Sequence, residues 1–313
     1  MVFAVNVEVK MKKVFSILII LLIICGCKNS KSNKITIVTT SFPSYDFVRS
    51  ITKNSDIEVK MLLKPGMDLH DYEPTAQDII DINNSKLFIY TGGESDSWIN
   101  DVLKNIDVNN KKIIKLMDLV DLYDEEVKDG MEIDEDEKEL DEHVWTSPVN
   151  ARIIITKLKE EIKNIDSNNS SLYEKNANEY IEQIKKIDEE IREIVNSSKR
   201  QELIFGDRFP LLYFVKEYNI DYYAAFPGCS EQTEASAKTI SYLIDKVKKD
   251  NIPVIFHIEL SNGKIANTIA KETGAKVLQF NSAHNITQEE FDNGVTYVDL
   301  MKDNIKVLKE ALN

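Results

Sequence analysis

One stretch decides how this chain folds: Lys64-Pro-Gly-Met-Asp-Leu-His70-Asp-Tyr-Glu-Pro74. It follows a strand-like segment, 57–63, and precedes a helical pattern that begins at Thr75, so it forms the loop of a strand–loop–helix unit. Its two prolines and its glycine are typical of a turn. Ligands bind at such crossovers in α/β proteins. His70 is therefore the first candidate for a binding residue.

The same alternation of strand-like and helical segments runs along most of the chain. The predicted strands are 35–40, 57–63, 86–93 and 112–116 in the first half, and 202–206, 222–226, 253–257 and 276–280 in the second. Strands that alternate with helices predict parallel sheets covered by helices. A chain of 313 residues suits two domains. We predict an α/β fold of two lobes, each with a mainly parallel, helix-flanked sheet.

A long helix is predicted between the two lobes. Residues 170–195 contain no Gly or Pro and carry apolar side chains at helical spacing, which predicts one helix roughly 40 Å long at about 1.5 Å per residue. A helix of this length restricts hinge motion more than a Gly/Ser linker does. We therefore expect an N-terminal lobe at 34–165, a rigid connecting helix at 166–198 and a C-terminal lobe at 199–313.

The N-terminal segment, 1–33, is predicted to be a signal peptide followed by a polar tether. Met11-Lys-Lys, the better candidate for the start, precedes an apolar run that is too short for the roughly 20 residues of a transmembrane helix. Ile24-Cys-Gly-Cys27 resembles the lipobox of bacterial lipoproteins, which implies a diacylated Cys27 that anchors the chain to the extracytoplasmic face of the cell membrane. An ordinary signal peptide is the alternative. With Cys25 removed by cleavage and Cys27 acylated, Cys229 would be the only other cysteine of the mature chain, which excludes an intrachain disulfide.

Charge limits the class of partner. The formal net charge of −14 argues against nucleic acid, whose phosphates are bound mainly by Lys and Arg. Most of this charge lies in the loop 121–142, where thirteen acidic residues face two lysines. Such a loop is typically solvated and self-repelling. It could also concentrate divalent cations near a binding site.

A second histidine follows this acidic loop. It lies in the segment Asp141-Glu-His143-Val-Trp-Thr-Ser-Pro148, directly before an amphipathic helix. The chain has four histidines, and His70 and His143 occupy equivalent junctions before helices. Imidazole is the commonest metal-binding side chain, so the pair indicates a metal site. A histidine with a purely structural role in a Trp-containing turn is the alternative for His143.

Together these motifs resemble a known family. The order of lipobox, Pro-Gly-x-x-x-His70-x-Tyr-Glu-Pro, Asp141-x-His143-x-Trp-x-x-Pro148, long helix and second lobe resembles the zinc- and manganese-binding lipoproteins that serve ABC importers. The resemblance extends from about Ile35 to Asn313. It implies that the two lobes bind one divalent ion between them and deliver it to an ABC-transporter permease. It also implies that His70 and His143 are metal ligands.

The C-terminal lobe departs from the family pattern. Asp207 takes the place of a ligand that is commonly His or Glu, and Asn281 takes the place of a ligand that is usually Asp. A neutral amide is a poor zinc ligand. Glu259, His284 or solvent could therefore supply the fourth position. His257 lies inside an apolar strand, where a hydrogen-bonded core histidine is the ordinary outcome.

The predicted ligands favour zinc, and the protein is not predicted to be an enzyme. Two imidazoles and one carboxylate suit zinc, whereas additional oxygen ligands would favour manganese. The motifs contain no evident pair of nucleophile and base. The competing classes are a metallohydrolase with an open coordination position and Glu259 as the base, and an adhesin lipoprotein.

Overall fold

In the part of the chain that the structure describes there are two four-stranded parallel sheets, and each has the strand order 2-1-3-4. A computed structural model describes residues 34–131, 139–228, 230 and 234–313. The predicted α/β fold, with two parallel-sheet lobes and a long helix between them, is confirmed.

Several predictions fall outside the described residues. They are the signal peptide and lipobox at 1–33, the anchor Cys27, and the lone thiol Cys229. Among the residues that the structure does describe, no helix has the length and apolar character needed to cross a bilayer.

The N-terminal sheet is built around its first strand. Its elements are β1 (Thr36–Thr39), α1 (Phe42–Ile51), β2 (Glu58–Met61), α2 (Ala76–Asn84), β3 (Leu87–Tyr90), α3 (Ile99–Asn105), β4 (Lys112–Lys115) and α4 (Pro148–Ile165). Strand β1 pairs with β2 on one side and with β3 on the other. Its β-branched residues Ile37 and Val38 are fully buried, as expected for a central strand covered on both faces.

The connecting helix is α5 (Ser170–Ser197), and its 28 residues span about 42 Å. It contacts both lobes. Asn176 Nδ2 donates to the carbonyl of Ile51 in the N-terminal lobe at 3.0 Å, and Asp188 accepts from the hydroxyl of Tyr218 in the C-terminal lobe at 3.1 Å. The range predicted from the sequence, 170–195, has the correct start, and it ends two residues before the helix does.

The C-terminal sheet repeats the arrangement of the first. Its elements are β5 (Glu202–Phe209), α6 (Leu212–Tyr218), β6 (Asp221–Pro227), α7 (Ala237–Asp250), β7 (Val254–His257), α8 (Lys264–Thr273), β8 (Lys276–Gln279), α9 (Gln288–Asp292) and α10 (Tyr297–Leu312). Strand β5 extends three residues beyond its prediction, and its register with β6 shifts between Phe205 and Arg208.

The two lobes meet through buried hydrogen bonds beneath the cleft. Trp145 Nε1 donates to the carbonyl of Ser282 at 2.9 Å, and the hydroxyl of Tyr297 donates to the carbonyl of Trp145 at 2.9 Å. Trp145 lies two residues after His143, and Ser282 lies two residues before His284. These contacts therefore bring the segments of two histidines, one from each lobe, next to each other.

The described parts of the acidic loop are held against the protein. Asp124 pairs with Leu140 in an antiparallel bridge, and Lys128 forms an ion pair with Asp221 of β6 at 2.8 Å. The segment 132–138 lies outside the described residues. The expectation of a solvated, self-repelling loop therefore does not hold for its two ends, which pair with each other and contact the C-terminal lobe.

Candidate metal centre

The loop that contains His70 is attached to the opposite lobe. The backbone N–H of Gly66 donates to the carbonyl of Ile286 at 2.8 Å. The side-chain amide of Asn285 donates to the carbonyls of Lys64 and Met67 at 2.8 and 2.7 Å. Since Asn285 directly follows His284, these bonds hold the loops of His70 and His284 side by side.

His70 is fixed at its Nδ1 atom. This atom lies 2.9 Å from the hydroxyl of Ser95, and the same hydroxyl makes a short hydrogen bond to Glu142. The backbone N–H of Ser95 also donates to Glu142, at 3.2 Å. The backbone N–H of His70 donates to Asp68 at 3.0 Å. The ring is therefore held through a serine and a buried carboxylate.

His143 is fixed at its Nδ1 atom by a carboxylate directly. It lies in the turn between the acidic loop and α4, where Asp141 Oδ1 accepts from its backbone N–H at 2.8 Å and lies 3.2 Å from Nδ1. The ring is buried and packs edge-on against Trp145 at a centroid distance of 5.5 Å. Its centroid lies 5.9 Å from that of His70.

His284 belongs to the loop after β8. Its Nδ1 atom lies 2.8 Å from the hydroxyl of Ser282 and 3.1 Å from Glu259 Oε1. Its other ring nitrogen, Nε2, is buried and has no hydrogen-bond partner among the described residues. A buried polar atom without a partner costs about 1–3 kcal/mol, so this nitrogen is a candidate to bind a ligand.

The three imidazoles line one small cavity of about 10 Å³. A cavity of this size holds about one water-sized sphere, or one ion. The described residues that line it are Asp68, His70, His143, Arg208, Pro210, Gly228, Ile258 and His284. In addition, ligand atoms of His70, Glu142 and His143 lie within 4.8 Å of one another. Side chains from both lobes thus converge on a space that can hold a metal ion.

Asp207 lies beside this cavity. It lines a larger adjoining cavity of about 230 Å³, and its carboxylate accepts from the backbone N–H groups of Arg208 and Ile258 at 2.9 and 3.3 Å. The side chain that lines the small cavity is that of Arg208, which makes a short ion pair with Asp68 across the cleft. The guanidinium thus places a fixed positive charge next to the histidines.

Asn281 lies outside the set of described residues that line the cavity. Its backbone N–H donates to the side chain of Asn304 in α10 at 2.7 Å, and its side-chain oxygen accepts from Gln279 at 2.7 Å. His257 also lies outside this set, with Nδ1 2.9 Å from the carbonyl of Ile258. Of the C-terminal candidates, His284 is the one whose side chain the structure brings to His70 and His143.

Burial and neighbouring charges set the protonation of these groups. Burial, followed by the charge of His143, lowers the pKa of His70 to about 3, so this ring is neutral at physiological pH. Burial alone would lower the pKa of His143, but the adjacent Asp141 outweighs it and raises that pKa. Burial would raise the pKa of Glu259, but His284 and the hydrogen bonds to the carboxylate lower it.

Sequence reasoning missed three residues of this centre: Ser95, Glu142 and Arg208. Ser95 follows two glycines after β3 without any recognisable motif. Glu142 is one of many acidic residues in its loop, although its position directly before His143 is a usable signal. Arg208 lies next to Asp207 in the segment that the family resemblance matched.

Comparison with known proteins identifies the family. The family described as "ZnuA: Zinc-uptake complex component A periplasmic" matches residues 37–311. The chain is 31% identical over 304 residues to the high-affinity zinc uptake system protein ZnuA of Bacillus subtilis, which covers 92% of this chain and 90% of the relative. It is 29% identical over 310 residues to the zinc-binding lipoprotein AdcA of Streptococcus pneumoniae, with 96% of this chain covered. The chain spans only 61% of the length of AdcA.

Solved structures agree with this match. The metal-dependent lipoprotein YcdH from Bacillus subtilis superposes with a TM-score of 0.76 at 30% identity, covering 89% of this chain and 99% of that one. The Zn(II)-bound ZnuA-like domain of Streptococcus pneumoniae AdcA gives 0.74 at 28% identity, covering 90% and 99%. A family of zinc-uptake components agrees with the prediction that this chain is not an enzyme. This chain belongs to the ZnuA family of periplasmic zinc-uptake components.

Proposed function

We propose that this chain captures one zinc ion between its two lobes outside the cell membrane and delivers it to an ABC-transporter permease. Membership of a periplasmic zinc-uptake family supports the capture of zinc and implies a permease as the partner. The sequence motif at Cys27 supports a lipid anchor, which would keep the carrier near that permease.

The observation that best supports the proposal is the position of three imidazoles around one cavity, each with a hydrogen-bond partner close to Nδ1. Each of His70, His143 and His284 has its Nδ1 atom next to a hydroxyl or a carboxylate, and all three line one cavity. A metal-binding histidine typically uses one ring nitrogen for the metal and the other for such a supporting hydrogen bond. A zinc ion in the cavity would also supply the partner that the buried Nε2 of His284 lacks.

We propose His70, His143 and His284 as the protein ligands of zinc. Three nitrogen ligands leave one position of a tetrahedral ion for water. His284 takes the role in the C-terminal lobe that the sequence prediction gave to Asp207 and Asn281. This choice rests on the positions of the side chains, since Asp207 lines the neighbouring cavity and Asn281 is bonded toward α10.

The proposed ligand set favours zinc over manganese. Imidazole suits zinc, whereas manganese is better matched by carboxylate, carbonyl and water oxygens. Zinc also binds more tightly than manganese to a given set of nitrogen and oxygen ligands. We therefore expect manganese to bind the same site more weakly.

The proposal requires binding and release but no bond-breaking chemistry. A hydrated ion would exchange most of its water for the three imidazoles as the cleft takes it up. Arg208 limits how tightly the ion is held, because its positive charge lies next to the cavity. A site that binds an ion for transfer must also release it at the permease.

A zinc titration with four protein variants tests the ligand set. The full chain, purified in detergent and stripped by a chelator, is titrated against a zinc-binding dye and analysed for metal content. We expect one zinc per chain. His284→Ala should weaken binding by at least about 100-fold, since even a partner that only supports a ligand contributes roughly 10–100-fold. His70→Ala should have a similar effect.

The controls are Asp207→Ala and His257→Ala. His257→Ala removes an imidazole of the same lobe outside the cavity and should leave zinc affinity within about threefold of the unsubstituted protein. Asp207→Ala should behave in the same way. A large loss in Asp207→Ala with an unchanged His284→Ala would instead assign the ligand to Asp207. No zinc uptake by the unsubstituted protein would contradict the proposed function itself.

A further inference from the structure

We propose that two His–Ser–Glu chains, one in each lobe, hold His70 and His284 in the tautomer that binds the metal. Ser95 and Glu142 form the chain behind His70, and Ser282 and Glu259 form the chain behind His284. These four are positioning residues, since they act through the histidines. The inference rests on the proposed function for its effect on zinc, but the tautomers can be tested without metal.

In the N-terminal lobe, the hydroxyl of Ser95 determines the direction of the hydrogen bond. It donates its single hydrogen to Glu142 Oε1, and its backbone N–H donates to Oε2 of the same carboxylate. A serine hydroxyl has one hydrogen to donate, so its contact with His70 Nδ1 at 2.9 Å must be one in which the serine accepts. His70 then carries its hydrogen on Nδ1, which leaves the lone pair of Nε2 for a metal.

The C-terminal lobe contains the same arrangement. The hydroxyl of Ser282 donates to Glu259 Oε1 at 2.7 Å, and its backbone N–H donates to Oε2 at 2.7 Å. Its contact with His284 Nδ1 at 2.8 Å must therefore also be one in which the serine accepts. The same tautomer follows for His284, whose Nε2 atom is the buried nitrogen without a partner among the described residues.

The two chains arise from unrelated positions in the sequence. Ser95 and Glu142 are separated by 47 residues, whereas Ser282 and Glu259 are separated by 23 and occur in the reverse order. In both cases a serine binds both oxygens of one glutamate with its N–H and its O–H. The same device thus supports one histidine on each side of the cleft. His143 differs, because Asp141 lies next to its ring without a serine between them.

Burial makes these hydrogen bonds hard to replace. Both glutamates and Ser282 are buried, so water has little access to take over a lost partner. Without the hydroxyl of Ser282, Nδ1 of His284 still lies 3.1 Å from Glu259 Oε1 and keeps an acceptor. Without the hydroxyl of Ser95, Nδ1 of His70 loses its acceptor, since Glu142 Oε1 lies 3.9 Å away, and the ring can adopt the tautomer with hydrogen on Nε2. That hydrogen would point at the ion and would have to be removed before binding. Loss of Ser95 should therefore weaken zinc binding by about 10–100-fold, and loss of Ser282 should weaken it by less.

The experiment compares substitutions that remove or keep the hydroxyl. Ser95→Ala and Ser282→Ala remove it, whereas Ser95→Thr and Ser282→Thr keep it. Ser197→Ala is the matched control, because that serine is bonded to the carbonyl of Glu193 on the surface of α5. Zinc affinity is measured by dye competition on the full chain. Nitrogen-15 NMR of the histidine rings in the metal-free protein reports their tautomers.

We expect metal-free His70 and His284 to show hydrogen on Nδ1. Ser95→Ala should shift the tautomer of His70 only and lose about 10–100-fold in zinc affinity, and Ser95→Thr should restore both. Ser282→Ala should keep hydrogen on Nδ1 of His284, because Glu259 remains its acceptor. Hydrogen on Nε2 in the unsubstituted protein would overturn the inference. A Ser95→Ala variant with an unchanged His70 tautomer and unchanged affinity would overturn it as well, with zinc binding intact. If the unsubstituted protein bound no zinc, the proposed function would fail, and the tautomers alone would decide the present inference.

Discussion

Gly93 leaves room for the carboxylate that supports His70. It follows β3 with φ of +78°, a backbone conformation that other residues rarely adopt. A Cβ atom at this position would lie 2.2 Å from Glu142 Oε2 and 2.7 Å from Glu142 Cβ. Because the second atom is close to the backbone, Glu142 could not avoid the added methyl group by rotating its carboxylate alone. Gly93→Ala must therefore displace Glu142 from Ser95.

Two contributions determine how much Gly93→Ala should lower the free energy of unfolding. Alanine at this φ is destabilised by about 1–2 kcal/mol. Loss of hydrogen bonds to a charged group adds about 1.5–3 kcal/mol. Gly274→Ala isolates the first contribution. Gly274 has φ of +77°, and a methyl group added there would meet no described atom within 4 Å other than those of its chain neighbours and its own helix. The difference between the two variants should be about 1.5–3 kcal/mol.

Thermal unfolding of the metal-free protein measures this difference. For a domain of this size about 1 kcal/mol shifts Tm by roughly 2–4 °C, so Gly93→Ala should melt about 3–12 °C below Gly274→Ala. Its zinc affinity should also fall, because Glu142 would no longer hold Ser95. Equal Tm values for the two variants would refute the reasoning, since Glu142 would then have room to move without losing its partners.

Three further predictions concern the cleft and the packing of the lobes. Arg208→Gln removes a positive charge beside the cavity and leaves the carboxylate of Asp68 unpaired. Because nearby unit charges interact by roughly 1–4 kcal/mol, competitive titration should show about tenfold tighter zinc binding. Weaker binding than in the unsubstituted protein would contradict this prediction. Trp145→Phe leaves the carbonyl of Ser282 without its donor and opens a cavity. Denaturant unfolding should therefore show a free energy of unfolding lower by about 2–4 kcal/mol. A decrease below about 1 kcal/mol would contradict a stabilising role for this hydrogen bond. Thr296→Ala removes the N-cap of α10 and should reduce the free energy of unfolding by about 1 kcal/mol in the same assay.

Local patterns were sufficient to predict the fold and to single out two N-terminal histidines that line one cavity in the structure. The helix α5 was predictable because 28 residues without Gly or Pro and with one apolar face leave few alternatives. His70 and His143 were predictable as candidates because each lies in a loop directly before a helix. Their proximity, with ring centroids 5.9 Å apart, depends on the tertiary fold, which local patterns do not give.

The C-terminal side of the centre was harder to predict, because a strand irregularity decides which side chain faces the cleft. The register of β5 shifts between Phe205 and Arg208, and such a shift exchanges the two faces of a strand. The alternation of side chains between the two faces of a regular strand therefore could not predict whether Asp207 or Arg208 would line the cavity. The segment that matches the family motif does lie beside the cavity, but the sequence does not encode which of its two side chains faces the histidines.

Contacts between residues far apart in the sequence determine the other features of the candidate centre. Asn281 is bonded to Asn304 in α10, and no local pattern connects these two residues. Ala283 adopts φ of +60°, so the chain turns sharply just before His284. Ser95 and Glu142 are 47 residues apart in the sequence, so no local pattern indicates their contact.

X-ray absorption spectroscopy at the zinc edge tests the central claim most directly. The chain, loaded with one equivalent of zinc, should show three imidazole ligands with zinc–nitrogen distances of about 2.0–2.1 Å and one oxygen ligand. His284→Ala, loaded at high protein concentration, should show two imidazoles. A first shell dominated by oxygen, or three imidazoles that persist in His284→Ala, would contradict the account.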